Sequence, residues 1–163
     1  MSTFQEISSQ GGSFEQCAKI YDTLEPATLD SMLSGRWKGV EITTGHSTDG
    51  MLDAMNWYGI DFVSFNEVHP LVITSKSDGT LFRADPGKTM AGVDPAEAKV
   101  EGPGARLRMV EFRGVSTATM VYNDLPICDH FRKVDQNTVM GMMDNPMIPG
   151  DNSCFYMKRD TAR

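Results

Sequence analysis

The sequence predicts a mainly β fold, an antiparallel sheet closed into a small β-barrel behind short N-terminal helices. Three observations carry the prediction. From Gly35 onward, segments with a two-residue apolar period follow one another, turn-forming clusters separate them at short intervals, and neither βαβ alternation nor an internal repeat interrupts the series. About eight strands joined as antiparallel neighbours commonly close on themselves around an interior that holds one small ligand.

The elements follow in chain order. Residues 1–12 are polar and rich in Gly and Ser, which predicts a flexible arm, and residues 13–163 are expected to form a single domain. Ser13 with Gln16 makes a capping box, and Phe14, Cys17, Tyr21 and Leu24 recur at helical spacing. A second helix is expected from Pro26 through Leu29, Met32 and Leu33, with Gly35 ending it. In the following strand Trp37, Gly39 and Glu41 share one face, and Arg36, Lys38 and Val40 the other. Met51, Leu52 and Met55 suit one helical turn. Ser77 to Thr80, SDGT, is a hairpin turn between two β-rich stretches, and residues 85–105, rich in Pro and Gly, predict a long mobile lid. Five strands then follow, in RLRMVEFRG, VSTATMVYND, LPICDHFRKVD, NTVMGMMDN and SCFYMKRD.

The chain carries a formal charge of −7 with no long basic stretch, so no nucleic acid partner is expected. It shows neither a secretory leader nor an apolar segment long enough to span a bilayer, and a cytoplasmic protein without membrane insertion is expected. Three cysteines without a C-x-x-C pattern suggest buried small hydrophobes. Twelve methionines, grouped at 51 and 55 and again at 140, 142, 143 and 147, suit either a cavity for a ligand of awkward shape or an ordinary core.

Gly35-Arg36-Trp37-Lys38-Gly39 after a short helix resembles the Gly-x-Trp opening of the calycins, the lipocalin/fatty-acid-binding-protein-like barrels. It is more closely similar to a family named for the G-x-W-x-G motif, in which a domain of unknown function follows. W-Y-G at Trp57–Gly59, V-H-P-L at Val68–Leu71, R-M-V-E-F-R-G at Arg108–Gly114 and P-I-C-D-H-F-R at Pro126–Arg132 fit that order, over residues 14–160. The resemblance implies a calycin-like barrel in which Trp37 closes one end and Arg159 of the last strand packs across its indole, an arrangement that cation–π attraction favours.

His69, fixed in extended backbone by Pro70, is a candidate general acid or base, or a histidine bonded to a loop carbonyl. Alternation groups Asp129 with Ile127 and Phe131 as a lining, which makes Asp129 a buried carboxyl that is either paired or raised in pKa. Glu111 and Arg113 share a face with Leu107 and Met109, and form a charged spot in the cavity or a solvated pair outside it. Trp57, Tyr58, Tyr122, Phe131 and Met142 complete the candidate ligand contacts. The isolated histidines supply no metal set, and no dinucleotide or phosphate loop is present, so neither metal nor cofactor is expected.

Together these features suggest a cofactor-independent cyclase, isomerase or lyase of secondary metabolism. Its substrate would be a small apolar, polyketide- or terpenoid-like molecule, with His69, Asp129 and Glu111 moving protons. The alternative is an intracellular carrier of a fatty acid or terpenoid. The oligomeric state stays open, a homodimer being one option.

Overall fold

The computed structural model describes residues 2–33 and 35–161. Its helices are α1 (Phe4–Gln10), α2 (Phe14–Thr23), α3 (Leu29–Met32), α4 (Met51–Ala54) and α5 (Pro86–Met90). Its strands are β1 (Glu25–Pro26), β2 (Gly35–Ile42), β3 (Trp57–Ser64), β4 (Glu67–Thr74), β5 (Leu81–Arg83), β6 (Ala105–Phe112), β7 (Val115–Tyr122), β8 (Cys128–Asp135), β9 (Thr138–Asp144) and β10 (Ser153–Arg159). All pairings are antiparallel, and the strands β2, β3, β4, β6, β7, β8, β9 and β10 neighbour one another in that order. Because β10 returns to pair with β2 from Arg159↔Trp37 to Cys154↔Ile42, this meander closes into a ring of eight strands. The weakest seam is β4 to β6, where Val68↔Ala105 is the paired position and Leu107 N–H donates to Phe65 O at 2.8 Å. The short β5 lies outside the ring path on β4, across the expected SDGT turn.

Three apolar clusters hold the architecture. The interior one contains Trp37, Ile60, Phe62, Leu107, Met120, Phe131, Phe155 and Met157, all inward members of alternating strands. At one end of the ring, Met32 of α3 enters this cluster with Leu29 and Leu33 beside it, and the Trp37 indole N–H donates to Met32 O at 3.1 Å. The Arg159 guanidinium lies 4.4 Å from the centre of the Trp37 ring and donates to Gln136 O and Ser31 O at 2.9 and 3.3 Å. Arg159 thus packs across the Trp37 indole, the contact expected from the sequence.

A second cluster packs α1 and α2 onto the outer face of the ring. Ile7, Cys17, Ile20 and Tyr21 meet Ile42, Met140, Met142 and Cys154 there. Arg132, 1% exposed, fixes α2 by donating to Tyr21 O and Leu24 O, each at 3.2 Å, with its guanidinium over the Tyr21 ring. The third cluster is small, Leu71, Ile73 and Ala84, with Trp57 and Phe82 against it.

Several expectations need correction. The described part of the expected arm, residues 2–12, is not loose: Thr3 caps α1, Ile7 is 1% exposed, and Phe4 meets the Tyr156 ring edge-on at 5.5 Å. The polar composition of α1 suits a helix with one apolar contact face, which composition alone does not reveal. Pro26 pairs with Arg132 in β1, and α3 begins only after the Thr28 cap. Gly35 opens β2 at φ 101°, a conformation that L side chains avoid, and does not terminate the helix. The 85–105 segment contains α5 and a 3-10 turn at Pro95–Glu97, and is tied to the sheet by the Ala84↔Lys99 bridge, with Ala98 buried.

Candidate functional site

Opposite the Trp37 end, the ring interior opens into a cavity of about 270 Å³. Antiparallel order brings the ends of β2, β7 and β9 and the starts of β3, β8 and β10 to this mouth. Its wall includes Trp57, Pro70, Tyr122, Asp129, Met143 and Phe155. The volume lies just below the usual range of ligand pockets, which begins at about 300 Å³.

Asp129 is the chemical centre of this enclosure. Its strand alternates, so it shares the inward face with Ile127 and Phe131 of the interior cluster, while Arg132 faces α2 and the His130 ring stacks on Phe112 outside that cluster. The residue is 2% exposed, and Oδ1 has no hydrogen-bond partner among the described residues. Burial without a compensating cation pushes the carboxyl up to about 8, so that it is mainly protonated at neutral pH. Tyr122 reaches the same wall from β7. Burial raises its phenol well above the usual value, and the charge of Asp129 adds to that, which places the two groups within electrostatic reach of each other.

Trp57 forms the aromatic side of the wall. Its indole N–H donates to Pro70 O at 3.0 Å, and its ring meets Phe155 edge-on at 5.8 Å. The ring fills the space above Gly39, where an added Cβ would lie 2.1 Å from an indole carbon. The second glycine of G-x-W-x-G is therefore the seat of Trp57. Between the strands, a Cβ at Gly59 would lie 1.8 Å from the carbonyl oxygen of Trp37, so W-Y-G needs its glycine for close backbone approach.

The mouth is formed by three connections, with Met51 and Met55 in or beside α4, Met90 at the end of α5 and Met147 between β9 and β10. Met51, Met90 and Met147 are 52, 44 and 51% exposed, an apolar rim of adaptable side chains. Glu41 and Asp49 also stand there, but their carboxylates already accept from the backbone N–H groups of Gly50 and of Gly45.

Of the residues expected from sequence, the cavity brings together Asp129, Tyr122 and Trp57. Phe131 lies in the interior cluster, edge-on to Phe62 and Phe155, rather than on the cavity wall. His69 is a correction. Val68 packs inward, so His69 faces out of the ring, opposite Asp61, which binds Arg36 and Arg83 on the outer side. Burial acts to raise the Asp61 carboxyl, and the two guanidiniums outweigh it and hold the group below its ordinary value. His69 Nε2 lies 2.9 Å from Glu67 Oε2, and its imidazole and the Asp129 carboxyl occupy opposite sides of the wall.

Glu111 is exposed near the end of β6, and Arg113, at φ 53° in the following turn, donates to Asp22 of α2 at 2.7 and 2.8 Å. The Glu111 and Arg113 spot is thus outside the cavity, because β6 runs past the interior after Leu107. Tyr58 donates to Asp160 at 2.8 Å on the outer face, and Met142 packs under α1 and α2; its neighbour Met143 is the one that lines the cavity.

Sequence reasoning missed Phe155, Pro70 and Met90. A signal existed for Phe155: Arg159 packs on inward Trp37, so positions 157 and 155, two and four residues earlier, share its face. Among the described residues, no group of three His, Cys, Asp or Glu is placed to hold a metal ion, and no helix is long and apolar enough to cross a membrane.

Two family models match the chain: that of the GXWXG protein over residues 19–79, and that of a domain of unknown function, DUF4334, over residues 103–159. A crystal structure of a protein from Thermomonospora curvata is similar at 34% sequence identity, with a TM-score of 0.77, over 96% of this chain and 95% of that one. No curated protein matches.

Proposed function

We propose that this chain, which belongs to the GXWXG family, binds a small apolar molecule inside a calycin-like barrel and moves a proton on it with Asp129. The observation that carries the proposal is Asp129 itself, a buried carboxyl with an unpartnered oxygen on the wall of a mostly apolar enclosure. A purely structural core position gains nothing from such a group, because an unsatisfied buried polar atom costs free energy. Calycin-like architecture is supported by the eight-stranded ring and by Trp37 held under Arg159 at its closed end.

The chemistry assigned is that of a cofactor-independent isomerase, cyclase or lyase. The neutral carboxyl donates its proton to an oxygen or double bond of the substrate, and the carboxylate so formed takes a proton back from a neighbouring carbon. The acid is regenerated, and no co-reactant is consumed. His69 and Glu111 have no part in this step, since neither faces the cavity. Enclosure supplies orientation and excludes water from the charged intermediate.

The test needs no knowledge of the product. Small unsaturated ketones and terpenoids are incubated with the protein in D₂O, and deuterium entering the ligand is followed by mass spectrometry. The wild type should accelerate exchange by the ~10²–10⁴-fold typical of an acid/base group, and Asp129→Asn should lose that acceleration while still binding. Binding without exchange in both proteins would replace the enzyme with the carrier, the reading that the apolar wall also supports.

A further inference from the structure

We infer that the cavity takes an uncharged ligand with a hydrogen-bond-accepting oxygen at its inner end, a ketone or enone of terpenoid or polyketide type, and rejects carboxylates, fatty acids included. This rests on the cavity being the ligand site, and names what that site selects. The first argument is the charge of the lining. Glu41, Asp49 and Asp129 contribute to it and, among the described residues, no Lys, Arg or His does, although the chain contains 15 Lys and Arg and 3 His. A carboxylate drawn into this space would be desolvated without a counter-ion, against a wall and a net charge of −7 that repel it.

The second argument is the hydrogen bond left unmade. Oδ1 of Asp129 is buried without a partner, so a pure hydrocarbon would fill the cavity and leave that atom unsatisfied. A carbonyl oxygen at the inner end accepts from the protonated carboxyl, and the Tyr122 phenol stands on the same wall as a second donor. A carboxylic acid kept neutral by apolar surroundings is an established donor to a ketone or its enolate. Ammonium ligands gain little: the carboxylates at the mouth are already bonded to backbone amides, and Asp129 must first ionise at the cost of its burial.

Ligands matched in shape and differing in the head group test the inference. Limonene, carvone and perillate share one terpenoid ring skeleton; ethylbenzene, acetophenone, benzoate and 1-phenylethylamine form a smaller aromatic series. Affinities are measured at pH 7 by native mass spectrometry and calorimetry. The ketones should bind about tenfold or more tightly than the hydrocarbons, the worth of one hydrogen bond made in place of one left open. Carboxylates and the amine should be weaker than the ketones by at least a similar factor.

Asp129→Leu should erase the preference for ketone over hydrocarbon, and Asp129→Asn, whose amide still donates, should keep it. A carboxylate or the amine binding as well as the ketone overturns the inference, and leaves the cavity standing as the ligand site. Failure of every member of both series to bind overturns the ligand site itself.

Discussion

At the scale of single residues, the unusual member is an acid buried where a neutral side chain would be cheaper to fold. Its carboxyl is raised from about 3.8 to about 8 by burial. Between those values the folded chain holds a proton that the unfolded chain has released, so stability falls as pH rises from about 4 to about 8 and levels off above. At pH 7 the cost reaches on the order of 4 kcal/mol, which Asp129→Asn should recover in part, since its amide is neutral but still unpaired. Denaturant melts should therefore show the variant gaining on the wild type at pH 7.5 and not at pH 4.5; parallel stability curves would remove Asp129 from this role. Trp37→Ala should cost roughly 3–5 kcal/mol, the range for truncating a buried large aromatic, with the midpoint of the melt as the measure. Both residues were legible in the sequence, Asp129 through alternation with Ile127 and Phe131, and Trp37 through its motif. His69 was not, because Pro70 fixes its backbone and says nothing of the face it presents. Only the inward packing of Val68 decides that.

At the scale of elements, the two glycines of the paired β2 and β3 strands do different work, and substitution separates them. At Gly39 an added methyl meets the Trp57 ring, a side chain that can move, and at Gly59 it meets the Trp37 carbonyl, part of the sheet backbone. Gly39→Ala should cost roughly 1–3 kcal/mol, as other overpacked sites do, and push the indole into the cavity, so that ligand affinity drops more than stability. Its signature is a shifted Trp fluorescence in a folded protein. Gly59→Ala should prevent the β2 and β3 pairing and leave no cooperative unfolding transition. If both variants melt alike and bind alike, the division of labour is wrong. The strand series after residue 105 was legible because each strand alternates and each turn carries polar residues. The turn at Phe65 and Asn66 between β3 and β4 escaped, since it lacks Gly and Pro and carries a large aromatic. Helix α1 escaped for a similar reason, its stability depending on Ile7 and Phe4 docking against the ring rather than on a strong local pattern.

At the scale of the whole molecule, the two matched family segments contribute to one ring, and neither builds the cavity alone. Residues 19–79 supply Trp57 and Pro70, and residues 103–159 supply Tyr122, Asp129, Met143 and Phe155. The stretch between the two segments contains α5, whose Met90 reaches the mouth. The methionines at 51 and 55 and at 147, on connections between strands, thus mark the rim, whereas Met140 and Met142 serve the helix layer from the face of β9 opposite Met143. A rim of unbranched, half-exposed side chains on three separate connections can part and close around a ligand without disturbing the ring, in which β2 with β10 and β6 with β7 pair along their lengths. Hydrogen exchange with and without saturating carvone should therefore change at residues 46–56, 86–98 and 144–152 together, each slowing by several-fold, while β6 and β7 exchange as before. Slowing confined to β5, or spread evenly over the ring, would place the ligand elsewhere. Slowing at one connection alone would mean that the rim does not act as a unit, and entry would then be governed by that connection rather than by all three.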